Sequence, residues 1–203
     1  MGAFSIKKYF KNYFAKKKWY SILSDAVFVI IISLLIIPST RTEVAAFFIR
    51  LTSFPPSTLD ADERFTISNQ ARTWQLQDMD GNEISFESLN DKPIFLNFWA
   101  TWCPPCIAEL PSITELHEKY KNDVSFVLVS NESRAKVRAF AKKNGFNQLL
   151  FYQNKTVPND FASQSIPTTF IISKTGVVVL DKKGVARWNS GSIEDILDEL
   201  ISE

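Results

Sequence analysis

A continuous apolar segment near the start of the chain is the clearest pattern in the sequence. The run Ala26–Ile37 carries no charge, and with its flanks it extends over the 20 residues Trp19–Pro38. A helix of that length reaches about 30 Å, which is the thickness of the hydrocarbon core of a bilayer. Trp19 at its beginning suits the membrane interface. The pattern therefore predicts a transmembrane anchor over residues 19–38.

The residues before this segment predict how the anchor is oriented. Residues 1–18 hold six lysines and no acidic residue. Such a basic tail is expected in the cytoplasm, so the rest of the chain is expected outside it. We therefore predict a single-pass membrane protein with a cytoplasmic N-terminus. A cleaved signal peptide is the alternative, because Val44–Ala46 fits the small-residue rule. Either way the body of the chain is exported.

Residues 39–64 are predicted to form a short helix and a linker. Apolar residues recur at helical spacing but are too few to span a bilayer: Val44, Phe47, Phe48 and Leu51. This helix is expected either to lie on the outer leaflet or to pack on the domain that follows. The Pro-containing stretch from Phe54 to Glu63 reads as a semi-rigid polar spacer.

Residues 65–203 alternate between strand and helix patterns. Short apolar runs predict buried strands at 94–99, 124–130 and 149–152. Helical periodicity follows the first two, at 104–120 and 133–144, and Ser192 is expected to cap a last helix. Turn residues predict hairpins around 80–82 and 174–176. Together these elements predict an α/β domain whose mixed sheet is flanked by helices.

Composition excludes several classes of protein. The chain has 203 residues, of which 45% are hydrophobic and 22% charged, as in an ordinary globular domain. The net charge is +1, and without the basic tail 17 basic residues face 22 acidic ones, so no nucleic-acid partner is expected. Two cysteines cannot form a disulfide scaffold. The one histidine, His117, is expected on a helix surface, and no metal site is predicted.

Both cysteines of the chain lie in one short motif, Trp102-Cys103-Pro104-Pro105-Cys106, at a strand-to-helix junction. A helix N-terminus presents unpaired amides and the positive end of its dipole, which stabilise a thiolate at the N-cap. Cys103 is therefore predicted to attack a partner disulfide, and Cys106 to resolve the mixed disulfide. A zinc site or a purely structural disulfide are the alternatives.

The two prolines between the cysteines limit this stabilisation. Proline suits the first helical turn, but Pro104 and Pro105 remove two amide donors that could face the sulfur of Cys103. We therefore expect only a modestly lowered pKa for Cys103 and a reducing rather than a strongly oxidising couple.

The nine residues Phe98–Cys106, with Glu109 and Pro111, resemble the active-site stretch of the thioredoxin superfamily. More narrowly, they are similar to the membrane-anchored TlpA/ResA-like thiol-disulfide oxidoreductases of bacterial envelopes. The resemblance covers roughly residues 70–203, and Ser165–Thr169 is its second specific part. It implies a thioredoxin-like fold that needs no cofactor besides its redox-active disulfide, Cys103–Cys106.

The resemblance also implies roles for individual residues. Pro167 is expected to be cis and to lie against the disulfide, with the backbone of Ile166 and Thr168 beside it forming the groove that binds the partner chain. An ordinary trans proline is the alternative. Trp102 is expected to contact the partner, or else to be a packed residue at the rim.

Two polar residues carry further expectations. Glu109 lies three residues after Cys106 on the same helix face. The resemblance implies that it tunes the cysteines, takes part in substrate handling and moves protons; an exposed helix acid is the alternative. Asn97 replaces the buried aspartate of cytosolic thioredoxin. That change leaves Glu109 or a water as the base for Cys106.

The sequence and the resemblance together predict a dithiol-disulfide oxidoreductase tethered to a bacterial inner membrane, with its catalytic domain in the periplasm or outside. Its expected catalytic residues are Cys103, Cys106 and Glu109. Its expected partners are the lipid bilayer, a membrane thiol electron donor and disulfide-containing exported proteins, for example in cytochrome c maturation. A peroxidase of the same fold and a non-catalytic binding module are the alternatives.

Overall fold

The computed structural model describes residues 18–36, 38–147, 149, 151–153 and 156–203. The predicted basic tail, residues 1–18, lies outside the described residues except for Lys18. The chain divides into two compact units, residues 1–44 and 45–203, and each is described by itself.

The described part of the first unit is helical. It contains helix α1, Trp19–Ile36, and the start of helix α2, Pro38–Leu51. Large apolar side chains of α1 are exposed, among them Phe28 and Ile30. Within the described part of the chain, no helix combines the length and the apolar character that a membrane span requires. The predicted anchor over residues 19–38 includes residue 37, which is not described, and it stays a prediction.

The described residues of the second unit form one mixed sheet. Its strands are β1 Phe65–Thr66, β2 Gln75–Asp78, β3 Glu83–Ser85, β4 Ile94–Phe98, β5 Ser125–Ser130, β6 Phe151–Gln153, β7 Thr168–Ile172 and β8 Val177–Lys183. Their spatial order is β1-β8-β7-β4-β5-β6-β2-β3. Strands β4, β5 and β6 run parallel, whereas β7 pairs antiparallel with both β4 and β8. The predicted mixed sheet and both predicted hairpins are confirmed.

Helices cover the sheet on both faces. They are α3 Asn69–Arg72, α4 Pro104–Tyr120, α5 Arg134–Asn144 and α6 Gly191–Ser202, with 3-10 turns at Phe86–Leu89 and Asn159–Phe161. Alternate residues of β4 point to opposite faces, as the period of a strand requires. Phe95 joins the core under α4, α5 and α6, whereas Ile94 and Leu96 join a second core that includes Trp74 and Phe86. Burial on both faces explains why the central strands are apolar runs rather than alternating ones.

The end of α2 belongs to the second unit and packs on it. Ala46 is buried in a cluster with Ile107 and Ala108 of α4, and Ile49 packs against the same cluster. On the opposite side of this helix Phe47 and Phe48 are exposed.

Three sequence-based expectations are wrong in detail. His117 is buried, with its ring edge-on to Phe126, because the inner face of α4 extends to it. The last helix begins at Gly191 and its N-cap is Ser190, two residues before the predicted cap Ser192. The third parallel strand is Phe151–Gln153 rather than 149–152.

Candidate active site

The two cysteines lie where β4 leads into α4. Cys103 is the N-cap of α4 with extended backbone angles, φ −95° and ψ 103°, and its Sγ accepts a hydrogen bond of 3.2 Å from the backbone N–H of Cys106. Pro104 and Pro105 occupy the first two helical positions, where proline's fixed φ suits the helix. A disulfide joins the two cysteines, whose Cα atoms are 5.3 Å apart.

The two cysteines of the disulfide differ in their exposure to solvent. Cys103 is 3% exposed and Cys106 is fully buried, so an approaching sulfur meets Cys103 first. Trp102, the residue before it, is 59% exposed. Sγ of Cys103 also lies 3.8 Å from the carbonyl oxygen of Ile166, which places the second sequence motif beside the first.

The peptide bond between Ile166 and Pro167 is cis, as the resemblance implied. The carbonyl oxygen of Pro167 accepts a hydrogen bond of 2.8 Å from the N–H of Gly184. Thr168 is fully buried at the start of β7, and its hydroxyl donates to the carbonyl oxygen of Ser165 at 2.8 Å. The side chain of Thr168 therefore fixes the loop from inside rather than offering a surface.

An apolar cavity of about 460 Å³ opens next to the disulfide. Trp102 and Ile166, two of the predicted binding residues, line it together with Phe98, Trp99 and Phe161. Thr168 does not line it, because its side chain is turned into the fold. The cavity offers room for an apolar side chain of a partner that presents its disulfide to Cys103.

Glu109 lies one helical turn after Cys106 and is 1% exposed, so the alternative of an exposed helix acid is wrong. Its Oε1 accepts a hydrogen bond of 2.8 Å from Nδ2 of Asn97. Its Oε2 accepts one of 3.3 Å from the N–H of Ala186 and one of 3.2 Å from Nε1 of Trp188. Burial nevertheless raises the pKa of Glu109 to about 8, because desolvation outweighs these three donors. A carboxyl group with that pKa is suited to proton transfer near neutral pH.

Asn97 on β4 bridges two elements. Its Nδ2 donates both to Glu109 and, at 2.8 Å, to Oγ1 of Thr169 on the neighbouring strand β7. An aspartate here would place a second acid against Glu109, whereas the amide supplies donors. The replacement noted in the sequence thus matches a site in which Glu109 is the buried carboxyl group.

Sequence reasoning missed the other groups around Glu109. Ala186 and Trp188 lie in the loop between β8 and α6, 77 and 79 positions away along the chain. Neither belongs to a motif, and no pattern in the sequence indicated them.

It also missed Glu132, which follows β5. Its carboxylate accepts hydrogen bonds from the N–H of Thr101 at 2.6 Å and from Oγ1 of Thr101 at 3.0 Å, and it pairs with Lys136. Partial burial raises the pKa of Glu132, but the hydrogen bonds from Lys136 and Thr101 outweigh burial and hold this pKa below its usual value. Glu132 therefore connects the turn before Cys103 to the end of β5.

Among the residues that the structure describes, no group of three or more His, Cys, Asp or Glu side chains is placed to hold a metal ion.

The known proteins similar to this chain include thioredoxin-like proteins and thiol-disulfide oxidoreductases. Thioredoxin-like protein YneN of Bacillus subtilis is 33% identical over 113 residues, which are 54% of this chain and 66% of YneN. The thiol-disulfide oxidoreductase ResA of Bacillus anthracis is 31% identical over 120 residues, 58% of this chain and 69% of that protein. The crystal structure of the exposed lipoprotein thioredoxin of Streptococcus pneumoniae superposes with a TM-score of 0.54 at 24% identity, over 63% of this chain and 98% of the other.

A thioredoxin-like sheet with a disulfide at a helix N-terminus beside a cis-proline defines the class of this protein, which is a thiol-disulfide oxidoreductase. Residues 67–180, more than half of the chain, match the AhpC/TSA family, and the chain belongs to that family.

Proposed function

We propose that this protein is a membrane-tethered, extracytoplasmic reductase of protein disulfides. The observation that carries the proposal is the position of Cys103, which caps α4 and lies 3.8 Å from the backbone beside a cis-proline. A nucleophilic sulfur next to a cavity that admits a peptide side chain suits a protein substrate.

The proposed reaction transfers two electrons without a cofactor, because the two cysteines carry the electron pair. In the reduced protein the Cys103 thiolate attacks one sulfur of the partner's disulfide, and the second partner sulfur leaves as a thiolate that takes up a proton. Cys106 then loses its proton and attacks Sγ of Cys103, which releases the first partner sulfur. The partner ends as a dithiol and this protein as the Cys103–Cys106 disulfide.

Glu109 is proposed to manage the proton of Cys106. It lies on the same helix, one turn from Cys106, and its pKa of about 8 lies close to that of an ordinary thiol. A base whose pKa matches that of its proton donor exchanges the proton at little cost in either direction.

Binding of the partner is proposed at the Ile166–Pro167 backbone. The cavity between Trp102, Phe161 and Ile166 would take an apolar side chain next to the partner's disulfide. We propose exported proteins as partners, apocytochrome c among them, and a membrane thiol carrier as the donor that restores the dithiol.

The membrane tether is proposed from the sequence. The uncharged run Ala26–Ile37 follows six lysines, and this pattern supports a cytoplasmic N-terminus with the enzyme domain outside the inner membrane. Exposed Phe47 and Phe48 would then lie near the outer leaflet. Carbonate extraction of membranes tests this: the chain should stay in the pellet, and a chain lacking residues 1–38 should be released.

Trapping tests the reaction. Cys106→Ala keeps the attacking sulfur but removes the resolving one, so it should accumulate mixed disulfides with exported proteins. The matched control is the double variant Cys103→Ala with Cys106→Ala, which should trap nothing. An empty trap with the single variant contradicts the proposal and favours a binding module, and peroxide-dependent turnover would instead support a peroxidase.

The reduction potential of the chain tests the direction of electron flow. The reductase proposal requires a potential near the reducing end of the superfamily. A value near that of a periplasmic oxidant would mean that the protein forms disulfides instead.

A further inference from the structure

Residues 45–54, here called the covering segment, pack over the part of α4 that carries Glu109. Ala46 is 1% exposed and lies in one cluster with Ile107 and Ala108, the two residues that precede Glu109. Ile49 packs against the same cluster.

Hydrogen bonds fix the covering segment to two of the elements that surround the Glu109 carboxyl group, α4 and the loop before α6. Nε of Arg50 donates to the carbonyl oxygen of Ala108 at 3.2 Å. The carbonyl oxygen of Phe54 accepts from the N–H of Arg187 at 3.0 Å. Arg187 lies between Ala186 and Trp188, the two residues whose N–H groups bond to Oε2 of Glu109. The covering segment therefore joins α4 to the loop that supplies these two donors.

We propose that the covering segment is a positioning element for Glu109: it holds the loop containing Ala186 and Trp188 against α4 and keeps water from the carboxyl group. The proposal concerns how the covering segment controls the state of Glu109. The effect expected on turnover rests on the proposed function. The structural part of the proposal stands without that function.

The route by which water would enter is visible at the edge of the covering segment. A cavity of about 120 Å³ is lined there by Arg50 and Ser53 of the segment, by Ser112 of α4 and by Ala186 and Arg187 of the loop. Ala186, which lines this cavity, also donates its N–H to Oε2 of Glu109 at 3.3 Å, so one loop residue contacts both the cavity and the carboxyl group. Lifting the segment would widen the cavity and hydrate that group.

The charged groups on the elements packed around Glu109 do not change the expected direction of its pKa shift, which is downwards on hydration. Lys182 of β8 lowers the pKa of Glu109, and Arg50 and Arg187 lie at the cavity edge with Glu115 of α4. Cys103 and Cys106 do not titrate in the oxidised chain, because a disulfide joins them. Desolvation is the largest cause of the raised pKa, so hydration should lower it towards the ordinary value of 4.5.

A pair of substitutions on the two sides of α2 tests the proposal. Ala46→Glu places a long charged side chain in the buried contact and should lift the segment. Phe48→Glu, the matched control, adds the same charge to a side chain that is 61% exposed on the other side of the same helix. The readout is the titration of the Glu109 carboxyl carbon by NMR in the full, oxidised chain.

The expected result is a fall in the pKa of Glu109 by at least about one unit in Ala46→Glu, a tenfold change in its ionisation constant, and no shift in Phe48→Glu. In the reduced enzyme the pH profile of disulfide exchange should move by the same amount, and Glu109→Gln should abolish that movement. The added carboxylate would by itself raise the pKa of Glu109, so an unchanged titration in Ala46→Glu overturns the proposal when the uncharged variant Ile49→Ser is unchanged as well.

A second variant covers the case in which Ala46→Glu does not fold. Ile49→Ser removes apolar contact from the same cluster and should lower the pKa of Glu109 in the same direction; an unmoved titration in this variant also overturns the proposal. If Cys106→Ala traps no partner, the proposed function is contradicted. The titration of Glu109 and its interpretation are not affected by that result.

Discussion

The indole N–H of Trp188 donates to Oε2 of Glu109 at 3.2 Å, across 79 positions of the chain. Trp188 is fully buried, with its ring edge-on to Phe95 of strand β4. The hydrophobic core thereby fixes a donor that points at the one acid of the site. The character of Glu109 depends on this arrangement as much as on its place one turn after Cys106.

Replacing Trp188 should raise the pKa of Glu109 further. The hydrogen bond from Trp188 favours the ionised carboxylate, so Trp188→Phe removes a stabilising donor and should shift the titration of Glu109 above about 8. Loss of the bond should also cost about 1–3 kcal/mol of stability. Trp99→Phe is the control, because Nε1 of Trp99 finds no acceptor among the described residues. A downward shift in Trp188→Phe would contradict the assigned contact.

Glu109 should make the stability of the oxidised chain depend on pH. Its pKa is raised in the folded state to about 8 from 4.5, so its protonated form favours folding. That contribution is complete below the unfolded value and is lost as the pH rises towards 8, at up to about 1.4 kcal/mol for each unit. Denaturant unfolding at pH 5, 6, 7 and 8 should show this loss.

The matched variant for that experiment is Glu109→Gln, which does not titrate. Its unfolding free energy should vary less with pH, because the amide does not titrate. Its absolute stability should also differ, because the added amide hydrogens face donors on Asn97 or Trp188. Equal slopes for the two chains would mean that Glu109 is not the buried proton acceptor inferred from the structure.

Glu132 should matter for the shape of the turn before Cys103. Glu132→Gln weakens two hydrogen bonds to Thr101 and the pair with Lys136, and we expect a loss of about 1–3 kcal/mol together with slower alkylation of reduced Cys103. Glu118→Gln weakens an exposed pair with Lys121 and a contact of 4.0 Å with His117, and we expect a smaller loss because exposed pairs contribute little. Thermal melts and alkylation rates that do not distinguish the two variants would refute the role.

The prolines of the motif should limit the acidity of Cys103. An N-cap side chain accepts from the N–H of the second or third helical residue, and Pro105 occupies the second. Pro105→Ala adds that donor and should lower the pKa of Cys103 in the reduced chain, measured by thiolate absorbance. Pro104→Ala is the control, because the cap accepts from the second or third helical N–H. Of the two amide donors that the prolines remove, only that of residue 105 can therefore bond to the cap. A pKa well below about 5 in the unchanged protein would refute the expectation.

The order of strands and helices and the place of the cysteines could be read from the sequence, because both depend on local signals. Apolar runs mark buried strands such as β4, and a residue pair at helical spacing, Cys103 and Cys106, shares one helical turn wherever that turn lies. The cis-proline motif also lies in one short stretch, and the structure confirms the cis bond.

Only the tertiary structure decided the surroundings of Glu109. Helical spacing placed Glu109 near the cysteines but could not show whether it faces water or the core. Its burial depends on residues from three distant parts of the chain, namely the covering segment, Asn97 and the loop with Trp188. The same holds for His117, expected at the surface and found against Phe126. Desolvation sums over all neighbours in space, so sequence spacing cannot report it.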